Sequence, residues 1–288
     1  MVLLDGKKVS KDRALVLSSQ VKWFAETPTL AIIQVGEDER SGAYIRQKKV
    51  FGEKIGCRVL HIAFPEKSGA SEILSKIQEL NEDKSVHGVI LQLPIPADLD
   101  SNSIIESIDP RKDVDGLHSE NAKKLLSGDI SGFIPATAKG VFSLLDAYKI
   151  PIAGKKAVVV GRSALVGKPT ALCLNNRGAE VTVCHRGTKN MPEETKKADI
   201  LVVAAGHPKL IDARHVSPNQ TVIDVGINLV TGEKLEDEIP KNKLVGDVDF
   251  EGVSNIVGAI SPVPGGVGPM TVLSLFENLI LAYTRAVK

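Results

Sequence analysis

The sequence has little cysteine and no excess of either charge. Its three cysteines, Cys57, Cys173 and Cys184, are odd in number and far apart, and no C-x-x-C pair occurs. This argues against a disulfide framework and a zinc site, and it fits a reducing, cytoplasmic compartment. Because 36 basic residues balance 35 acidic ones, for a net charge of +1, no overall field favours nucleic acid or an anionic membrane over small solutes. We therefore expect small-molecule ligands and no metal, nucleic-acid or membrane partner.

Long apolar runs are also missing. No stretch of about 18 uninterrupted apolar residues occurs, and the run after Met1 is too short for a signal peptide. We expect a soluble protein that is not exported. The chain has no repeat, low-complexity segment or long polar linker, and its 288 residues suffice for two domains of ordinary size. Two such domains suggest a cleft between them.

Short apolar runs alternate with helical segments along the whole chain. Predicted strands cover residues 30–35, 59–64, 86–91, 156–160, 181–184, 200–204 and 221–225, and predicted helices include 41–55, 71–81 and 167–176. This alternation is typical of βαβ units and mostly parallel sheets, so the predicted fold class is α/β. We place the domain boundary near residues 133–140. The first predicted domain covers 1–137, with a C-terminal helix (271–288) packing back on it, and a Rossmann-like domain covers 138–270.

One strand runs into a turn bracketed by two glycines and then into a helix. Gly161 lets the chain turn tightly as it leaves the apolar run 157–160, and Gly167 lets the helix approach, so that backbone N–H groups can face a pyrophosphate. Ser163 stands where the usual fingerprint has its second glycine. The pattern favours a dinucleotide site over an ordinary strand-to-helix turn.

The end of the next strand indicates which dinucleotide. NAD-binding folds hold the ribose 2′-hydroxyl with an acidic residue there, but this chain has His185 and Arg186. Arg186, together with Arg162, can instead meet a 2′-phosphate, so NADP is favoured over NAD, unless Arg186 is simply exposed. Two later strands end in small residues, as expected where a cofactor crosses a sheet edge: Ala205, Gly206, Gly226 and Ile227.

The predicted helix 41–55 carries a lysine within an apolar stripe. Tyr44, Lys48, Phe51 and Ile55 fall on one face. Partial burial would lower the pKa of Lys48 and allow proton exchange near neutral pH. The alternative is a lysine whose stem packs while its amine reaches water.

Two polar sites follow in the same half of the chain. Gln92 ends a buried strand before two prolines, at the carboxyl end where ligands bind in open α/β sheets, although a plain strand-ending loop would look the same. Asp115, before Gly116, is either part of a solvated turn or a carboxylate that accepts hydrogen bonds from an amidine-like edge such as that of a pterin. The loop 261–271, rich in proline and glycine, favours close contact with a flat ligand.

Together these motifs resemble one family. Tyr44-x-x-x-Lys48, Gln92-Leu-Pro, Lys112-Asp-Val-Asp115-Gly, the Gly161 turn and the Pro-Val-Pro-Gly-Gly loop, in this order and spacing, resemble the bifunctional methylenetetrahydrofolate dehydrogenase/cyclohydrolase family over nearly the whole chain. The resemblance implies NADP-dependent oxidation of 5,10-methylenetetrahydrofolate to the methenyl form, then hydrolysis to 10-formyltetrahydrofolate, by a homodimer acting in one-carbon metabolism.

The resemblance also implies roles for single residues. Lys48 would be the key residue of the hydrolysis, with Gln92 hydrogen-bonded to it, Tyr44 stacked on the folate and Asp115 holding the pterin edge. Substrate contacts would further include Leu93, Pro262, Val263, Gly265, Gly266 and Pro269. The predicted cofactor contacts are Gly161, Arg162, Ser163, Val166, Gly167, His185, Arg186, Ala205, Gly206, Gly226, Ile227 and Thr271. The stretch His185 to Thr188 departs from the family's usual His-Ser-Lys-Thr, which leaves the 2′-phosphate contacts open.

Other functions remain to be weighed. A Tyr-x-x-x-Lys pair also occurs in short-chain dehydrogenases, but there the glycine turn precedes the pair, whereas here Tyr44 and Lys48 come long before Gly161. A non-catalytic dinucleotide sensor would need neither a lysine on an apolar stripe nor a second ligand site. A dehydrogenase that has lost its cyclohydrolase activity stays open as a third alternative.

Overall fold

The structure is a computed structural model that describes residues 1–231 and 242–287. In chain order its elements are β1 (Val2–Leu3), α1 (Gly6–Val21), β2 (Thr29–Val35), α2 (Glu39–Ile55), β3 (Arg58–Phe64), α3 (Ala70–Glu82), β4 (Gly88–Leu91), α4 (Ser101–Glu106), α5 (Ser119–Ser127), α6 (Ala136–Ala147), β5 (Lys156–Val160), α7 (Gly167–Asn176), β6 (Glu180–Cys184), α8 (Met191–Lys196), β7 (Ile200–Val203), a 3-10 helix (Ala213–His215), β8 (Thr221–Asp224), β9 (Asn228–Thr231), β10 (Asn242–Val245), α9 (Phe250–Ser254), β11 (Ala259–Ile260) and α10 (Val267–Ala286).

The chain forms two compact units. One unit, called here the lysine unit, consists of Lys11–Ala136 and Val272–Lys288, and the other, the glycine unit, consists of Met1–Ser10 and Thr137–Thr271. In both, short buried strands alternate with helices, so the predicted α/β class is confirmed.

The lysine unit is built on a parallel sheet. Within the described residues its strand order is β3-β2-β4. Every residue of β2 and of β4 is buried, as expected for strands covered on both faces. One core cluster joins these strands to Ile73, Ile77 and Leu80 of α3 and to Ile104 and Ile105 of α4. The carboxyl ends of β2 and β4 therefore lie side by side.

The glycine unit is built on a larger parallel sheet. Its order across the described chain is β1-β11-β8-β7-β5-β6, with β9 and β10 forming a separate antiparallel pair. The strands β6 and β7, which follow β5 in sequence, lie on opposite sides of it. The strand order thus reverses between β5 and β7, and ligands of doubly wound sheets bind at the carboxyl ends of such a switch point.

The structure corrects the predicted domain limits at both ends of the chain. Residues 1–10 belong to the glycine unit rather than to the first domain, because Val2 and Leu3 pair in parallel with Ala259 and Ile260. A strand this short leaves no periodic signal in the sequence. The last helix begins at Val267 rather than Thr271, and the division between the units falls inside it, after Thr271.

Helix α10 is long and apolar enough to cross a membrane, by length and composition, which the sequence prediction did not anticipate. Among the described residues 67% of its most apolar window is buried. Leu273, Phe276 and Leu279 are each 0% exposed. This burial is typical of the core helix of a globular unit.

Candidate functional site

Helix α2 places Tyr44 and Lys48 one turn apart. It begins after Asp38, whose carboxylate accepts a hydrogen bond from the Ser41 backbone N–H at 2.8 Å, and it ends at Gly56, which has a left-handed φ of 85°. The four-residue spacing puts both side chains on one face. Both are partly exposed, and burial raises the pKa of the Tyr44 hydroxyl.

Lys48 is hydrogen-bonded to Gln92, as the family resemblance implied. Its Nζ donates to Oε1 of Gln92 at 2.8 Å, and Nε2 of Gln92 donates to the Leu93 carbonyl at 2.8 Å. This second bond fixes the orientation of the amide, so that its oxygen faces the lysine. Gln92 follows β4 directly, and its backbone N–H donates to Ile33 of β2. The alternative of a lysine whose amine contacts only water does not agree with this hydrogen bond.

The electrostatics of Lys48 favour proton exchange. Burial lowers the pKa of Lys48, and the nearby negative charge of Asp115 opposes that shift. The pKa of Asp115 is raised, mainly by burial and further by Asp113, while Lys48 acts in the opposite direction. Both shifts move the two pKa values toward the neutral range, where a group can gain and lose a proton readily.

The turn that carries Asp115 is held from several sides. Its carbonyl accepts the Ala136 backbone N–H, and the preceding carbonyl, of Val114, accepts Nδ2 of Asn278 at 2.9 Å. Gly116 has a φ of +74° and packs against the backbone of Pro135, so a side chain here would be both strained and obstructed. Asp115 is therefore fixed in place rather than part of a freely solvated turn.

The neighbouring Asp113 has a structural role. It is 1% exposed, and its carboxylate accepts hydrogen bonds from the His118 backbone N–H, Nδ2 of Asn121 and the Gly116 backbone N–H. Burial raises its pKa, and the hydrogen bonds from His118 and Asn121 oppose the shift. It closes the turn in which Asp115 stands.

In the glycine unit, Gly161 and Gly167 lie where other residues would not fit. Gly161 has a φ of +128°, and a Cβ on it would collide with the Ala204 carbonyl oxygen. A Cβ on Gly167 would collide with the Gly161 carbonyl oxygen. The chain thus needs glycine at both ends of the turn between β5 and α7.

Ser163 has a use that sequence reasoning missed. Its Oγ accepts hydrogen bonds from the backbone N–H groups of Val166 and Gly167, at 3.3 Å each. Two N–H groups at the start of α7 therefore have a protein partner, where we expected them to face a pyrophosphate. The serine hydroxyl thus satisfies the N–H groups of the last residue before α7 and of its first residue.

The predicted 2′-phosphate segment is a compact bend after β6. The His185 backbone N–H donates to Oγ1 of Thr188 at 2.9 Å, and the Gly187 N–H donates to Nδ1 of His185 at 3.0 Å. Arg186 and Arg162 are exposed. Both arginines follow strands that adjoin in the sheet, β6 and β5.

The ends of β7 and β8 are held by two carboxylates that the sequence analysis did not single out, Asp224 and Asp247. The Ala205 and Gly206 N–H groups donate to Oδ2 of Asp247 at 2.7 and 2.8 Å, and the Gly226 N–H donates to Oδ1 of Asp224 at 3.0 Å. A Cβ on Gly206 would meet no described atom within 4 Å. Asp224 lies within the predicted strand 221–225 and Asp247 in a stretch for which no element was predicted, so no local signal distinguishes these carboxylates.

The proline- and glycine-rich loop is tied to the first residues of the chain. The Lys7 N–H donates to the Gly265 carbonyl at 3.0 Å, and the Gly266 N–H donates to the Pro262 carbonyl at 2.8 Å. Gly265 has a φ of +114°, which favours glycine. The remaining predicted ligand positions of the loop are partly exposed: Pro262, Val263, Pro269 and Thr271. Oγ1 of Thr271 donates to the Val267 carbonyl at 3.2 Å within the helix.

Comparison with known proteins gives a consistent result. The family model described as the catalytic domain of tetrahydrofolate dehydrogenase/cyclohydrolase matches residues 4–115, and that described as its NAD(P)-binding domain matches residues 135–287. The chain is 45% identical over 285 residues to the bifunctional protein FolD of Campylobacter concisus, covering 98% of this chain and 97% of the relative.

Two solved structures are also similar. The bifunctional enzyme FolD of Campylobacter jejuni, a methylenetetrahydrofolate dehydrogenase/cyclohydrolase, has a TM-score of 0.93 at 42% identity, covering 99% of each chain. The methylenetetrahydrofolate dehydrogenase-cyclohydrolase of Trypanosoma brucei, solved with NADP cofactor and an inhibitor, has a TM-score of 0.94 at 32% identity, covering 100% of this chain and 99% of that one.

Proposed function

Because this chain belongs to the tetrahydrofolate dehydrogenase/cyclohydrolase family, we propose that its two activities draw on different residues: the lysine unit supplies the acid–base chemistry, and the glycine unit supplies the nucleotide site. The enzyme oxidises 5,10-methylenetetrahydrofolate to the 5,10-methenyl form with NADP. It then hydrolyses that product to 10-formyltetrahydrofolate. The observation that carries the assignment of residues is the hydrogen bond from Lys48 to Gln92 at 2.8 Å.

The oxidation step needs little acid–base catalysis. Hydride leaves a carbon flanked by two nitrogens, whose lone pairs stabilise the resulting cation, so this step depends mainly on geometry. When bound, NADP accepts the hydride. The protein has to orient the one-carbon unit, and we assign that task to Tyr44, which would stack on the folate, and to Asp115, whose fixed turn would present a carboxyl to the pterin edge. Leu93 and the loop residues Pro262, Val263, Gly265, Gly266 and Pro269 would complete the folate contacts.

The hydrolysis needs proton transfer, because water adds to the methenyl cation and a carbon–nitrogen bond then breaks. Lys48 suits this role, since burial lowers its pKa and its neutral amine can take a proton from the attacking water. Gln92 would hold the amine in position through its fixed amide oxygen. The catalytic set is therefore Lys48 and Gln92, assisted by Tyr44 and Asp115.

The nucleotide site lies at the reversal of strand order in the glycine unit. Gly161, Ser163, Val166 and Gly167 surround the turn after β5, where close backbone approach suits a pyrophosphate. Arg162, His185 and Arg186 would meet the 2′-phosphate. Ala205, Gly206, Gly226, Ile227 and Thr271 would contact the rest of the nucleotide, with the open space beside Gly206 available to it.

We also propose that the enzyme is a homodimer in the cytoplasm. Strand β6 is an edge strand of the larger sheet, and its Val183 is 40% exposed. An exposed edge with apolar side chains is a ready site for pairing with a second copy. Light scattering of the wild type and of Val183→Lys tests the dimer, which the variant should weaken.

The proposed cytoplasmic location rests on the cysteines. Cys57, Cys173 and Cys184 are buried free thiols, which suits a reducing compartment.

Absorbance-followed turnover tests the residue assignment. Wild-type enzyme is given methylenetetrahydrofolate with NADP or with NAD, and the methenyl intermediate is resolved from NADPH. We expect faster turnover with NADP and a 10-formyl product. Lys48→Met should reduce cyclohydrolase activity by about 10²- to 10⁴-fold, the range of general acid–base catalysis, and Lys49→Met is the matched control on the same helix.

Each alternative has its own outcome. Wild-type oxidation without hydrolysis would identify a dehydrogenase that has lost the second activity. Binding of nucleotide without folate-dependent reduction would favour the sensor. Full hydrolysis by Lys48→Met would remove Lys48 from the catalytic set.

A further inference from the structure

The glycine unit contains two buried carboxylates that the two reactions do not use. Asp224 is 3% exposed and Asp247 is 0% exposed. Burying a carboxylate is costly unless hydrogen bonds compensate it. Among the described residues, five of their six donors are backbone N–H groups, and three of these belong to positions assigned to the nucleotide: Ala205, Gly206 and Gly226.

Asp247 joins the segments that follow β7 and β8. Its Oδ2 accepts the N–H groups of Ala205 and Gly206 at 2.7 and 2.8 Å, and its Oδ1 accepts Nδ2 of Asn228 at 2.8 Å. The two consecutive N–H groups fix the peptide planes on either side of Ala205. One carboxylate thus sets the backbone orientation at one side of the switch point.

Asp224 in turn holds Asp247. Its Oδ1 accepts the backbone N–H groups of Gly226 and Asp247, at 3.0 Å each, and its Oδ2 accepts the Val248 N–H at 2.9 Å. The Asp224 N–H donates to Oγ of Ser261 at 2.8 Å, at the start of the proline- and glycine-rich loop. The two carboxylates therefore link the ends of β7, β8 and β10, and the backbone N–H of Asp224 links them to this loop.

Glycines allow the carboxylates to lie directly against the backbone. A Cβ on Gly226 would collide with the Asp247 carboxylate, and a Cβ on Gly246 would collide with that of Asp224. Gly226 is thus needed for its contact with Asp247, besides its expected contact with nucleotide.

We propose that Asp247, supported by Asp224, is a positioning residue for NADP: it fixes the backbone after β7 and β8 so that carbonyl oxygens and carbon atoms, rather than N–H groups, face the nucleotide. The proposal rests on the assignment of Ala205, Gly206 and Gly226 to the nucleotide site. Because the N–H groups of residues 205 and 206 already have partners, contacts there use the opposite edge of each peptide.

The test uses the two activities of one protein. Asp247→Asn keeps the shape but removes the negative charge and replaces one acceptor oxygen by an amide N–H₂ group. All three donors then lose a charged acceptor, and either Nδ2 of Asn228 or the pair of backbone N–H groups loses its acceptor oxygen. Asn228→Ala removes a single donor. Asp249→Asn is the matched control, because this aspartate lies in the same segment and forms an exposed ion pair with Lys209 at 3.1 Å. NADPH affinity is measured by fluorescence titration, and hydrolysis of methenyltetrahydrofolate is measured without nucleotide.

We expect the Kd for NADPH and the KM for NADP to rise about tenfold or more in Asp247→Asn and about threefold in Asn228→Ala. Saturating NADP should restore most of kcat, and hydrolysis should stay within twofold of wild type. A purely structural role would lower both activities together, and that result would overturn the proposal.

Unchanged NADPH affinity in both variants would also overturn it. If Asp247→Asn does not fold, the NADPH affinity and the hydrolysis rate of Asn228→Ala alone decide the test. The titration needs no turnover, so a failure of the wild-type enzyme to reduce NADP would refute the proposed function without affecting this result.

Discussion

The two units hold their candidate residues in different ways. In the lysine unit the candidate site consists of side chains, with Lys48, Gln92 and Asp115 brought together from a helix, a strand end and a turn. In the glycine unit the predicted site is mostly backbone, and side chains such as Ser163 and Asp247 serve to shape that backbone. Substitution of a side chain in the lysine unit should therefore reduce hydrolysis. Displacement of the backbone in the glycine unit should reduce NADPH binding.

The largest expected effect on NADPH binding is that of Gly161→Ala, which displaces the backbone of the predicted nucleotide site in the glycine unit. The new Cβ would collide with the Ala204 carbonyl at a φ of +128°, so the ends of β5 and β7 must separate. We expect NADPH binding to weaken by at least about 100-fold, which corresponds to about 2.7 kcal/mol. Fluorescence titration measures this, and hydrolysis assayed without nucleotide should change much less.

The control for this variant is Gly154→Ala in the same unit. Gly154 also has a positive φ, of +74°, but a Cβ there would meet nothing within 4 Å. It should cost about 1 kcal/mol of stability and leave binding intact. Equal loss of binding in both variants would show that left-handed strain, and not the contact with Ala204, limits the site.

The side-chain half of the comparison is sharpened by Gln92→Met. Methionine has a similar volume but cannot accept the hydrogen bond from Lys48, so the amine loses its fixed position. We expect hydrolysis to fall about 30- to 100-fold and oxidation to fall less than tenfold, because only the former needs proton transfer. Both rates are read from the methenyl and NADPH absorbances. The control is Gln78→Met, on an exposed part of α3, which should behave as wild type. If Gln92→Met lowered hydrolysis and oxidation equally, the proposed division of roles between the two units would be contradicted.

A smaller effect concerns the pH dependence of stability that a buried carboxyl of the glycine unit produces. Burial raises the pKa of Asp224 from 3.8 to about 7, so the folded protein retains a proton that the unfolded chain has released. The free energy of unfolding therefore falls as pH rises from about 4 to about 7, by up to about 1.4 kcal/mol per pH unit. Asp224→Asn removes this titratable carboxyl group.

Relative to wild type, this variant should gain about 2 kcal/mol in the free energy of unfolding between pH 5 and pH 8. Urea unfolding at several pH values measures the difference. Parallel pH profiles for the two proteins would show that Asp224 does not titrate in this range.

Much of the architecture could be predicted from local pattern. Strand β5 and helix α7 were predicted with the limits that the structure shows, because an uninterrupted run of valines and a glycine-bracketed turn are strong signals. Strands β1 and β11 are two residues long, and they exist only because each pairs with a neighbour. Helix α1 was missed since Leu15 and Val16 are exposed, which obscures its apolar face.

The candidate site divides in the same way. Lys48, Gln92 and Asp115 could be chosen from residue type and position, but their mutual distances come from tertiary packing. The roles of Ser163 and Asp247 were missed because a side chain that satisfies remote backbone groups carries no pattern of its own in the sequence. The backbone site is thus the harder one to predict, although its glycines are the more conspicuous motif.

The interleaving of the two units sets an order for their completion during synthesis. The sheet that carries Gln92 is finished early on the ribosome, yet the part of α10 that belongs to the same unit, from Val272 onward, is translated only after the whole segment Thr137–Thr271. Conversely, β1 emerges first and must wait for β11 before it has a partner. A nascent chain therefore holds unpaired apolar segments of both units until translation nears its end. Termination before Val272 would remove Asn278, which holds the turn that carries Asp115, even though every residue of the candidate site in the lysine unit had already been made.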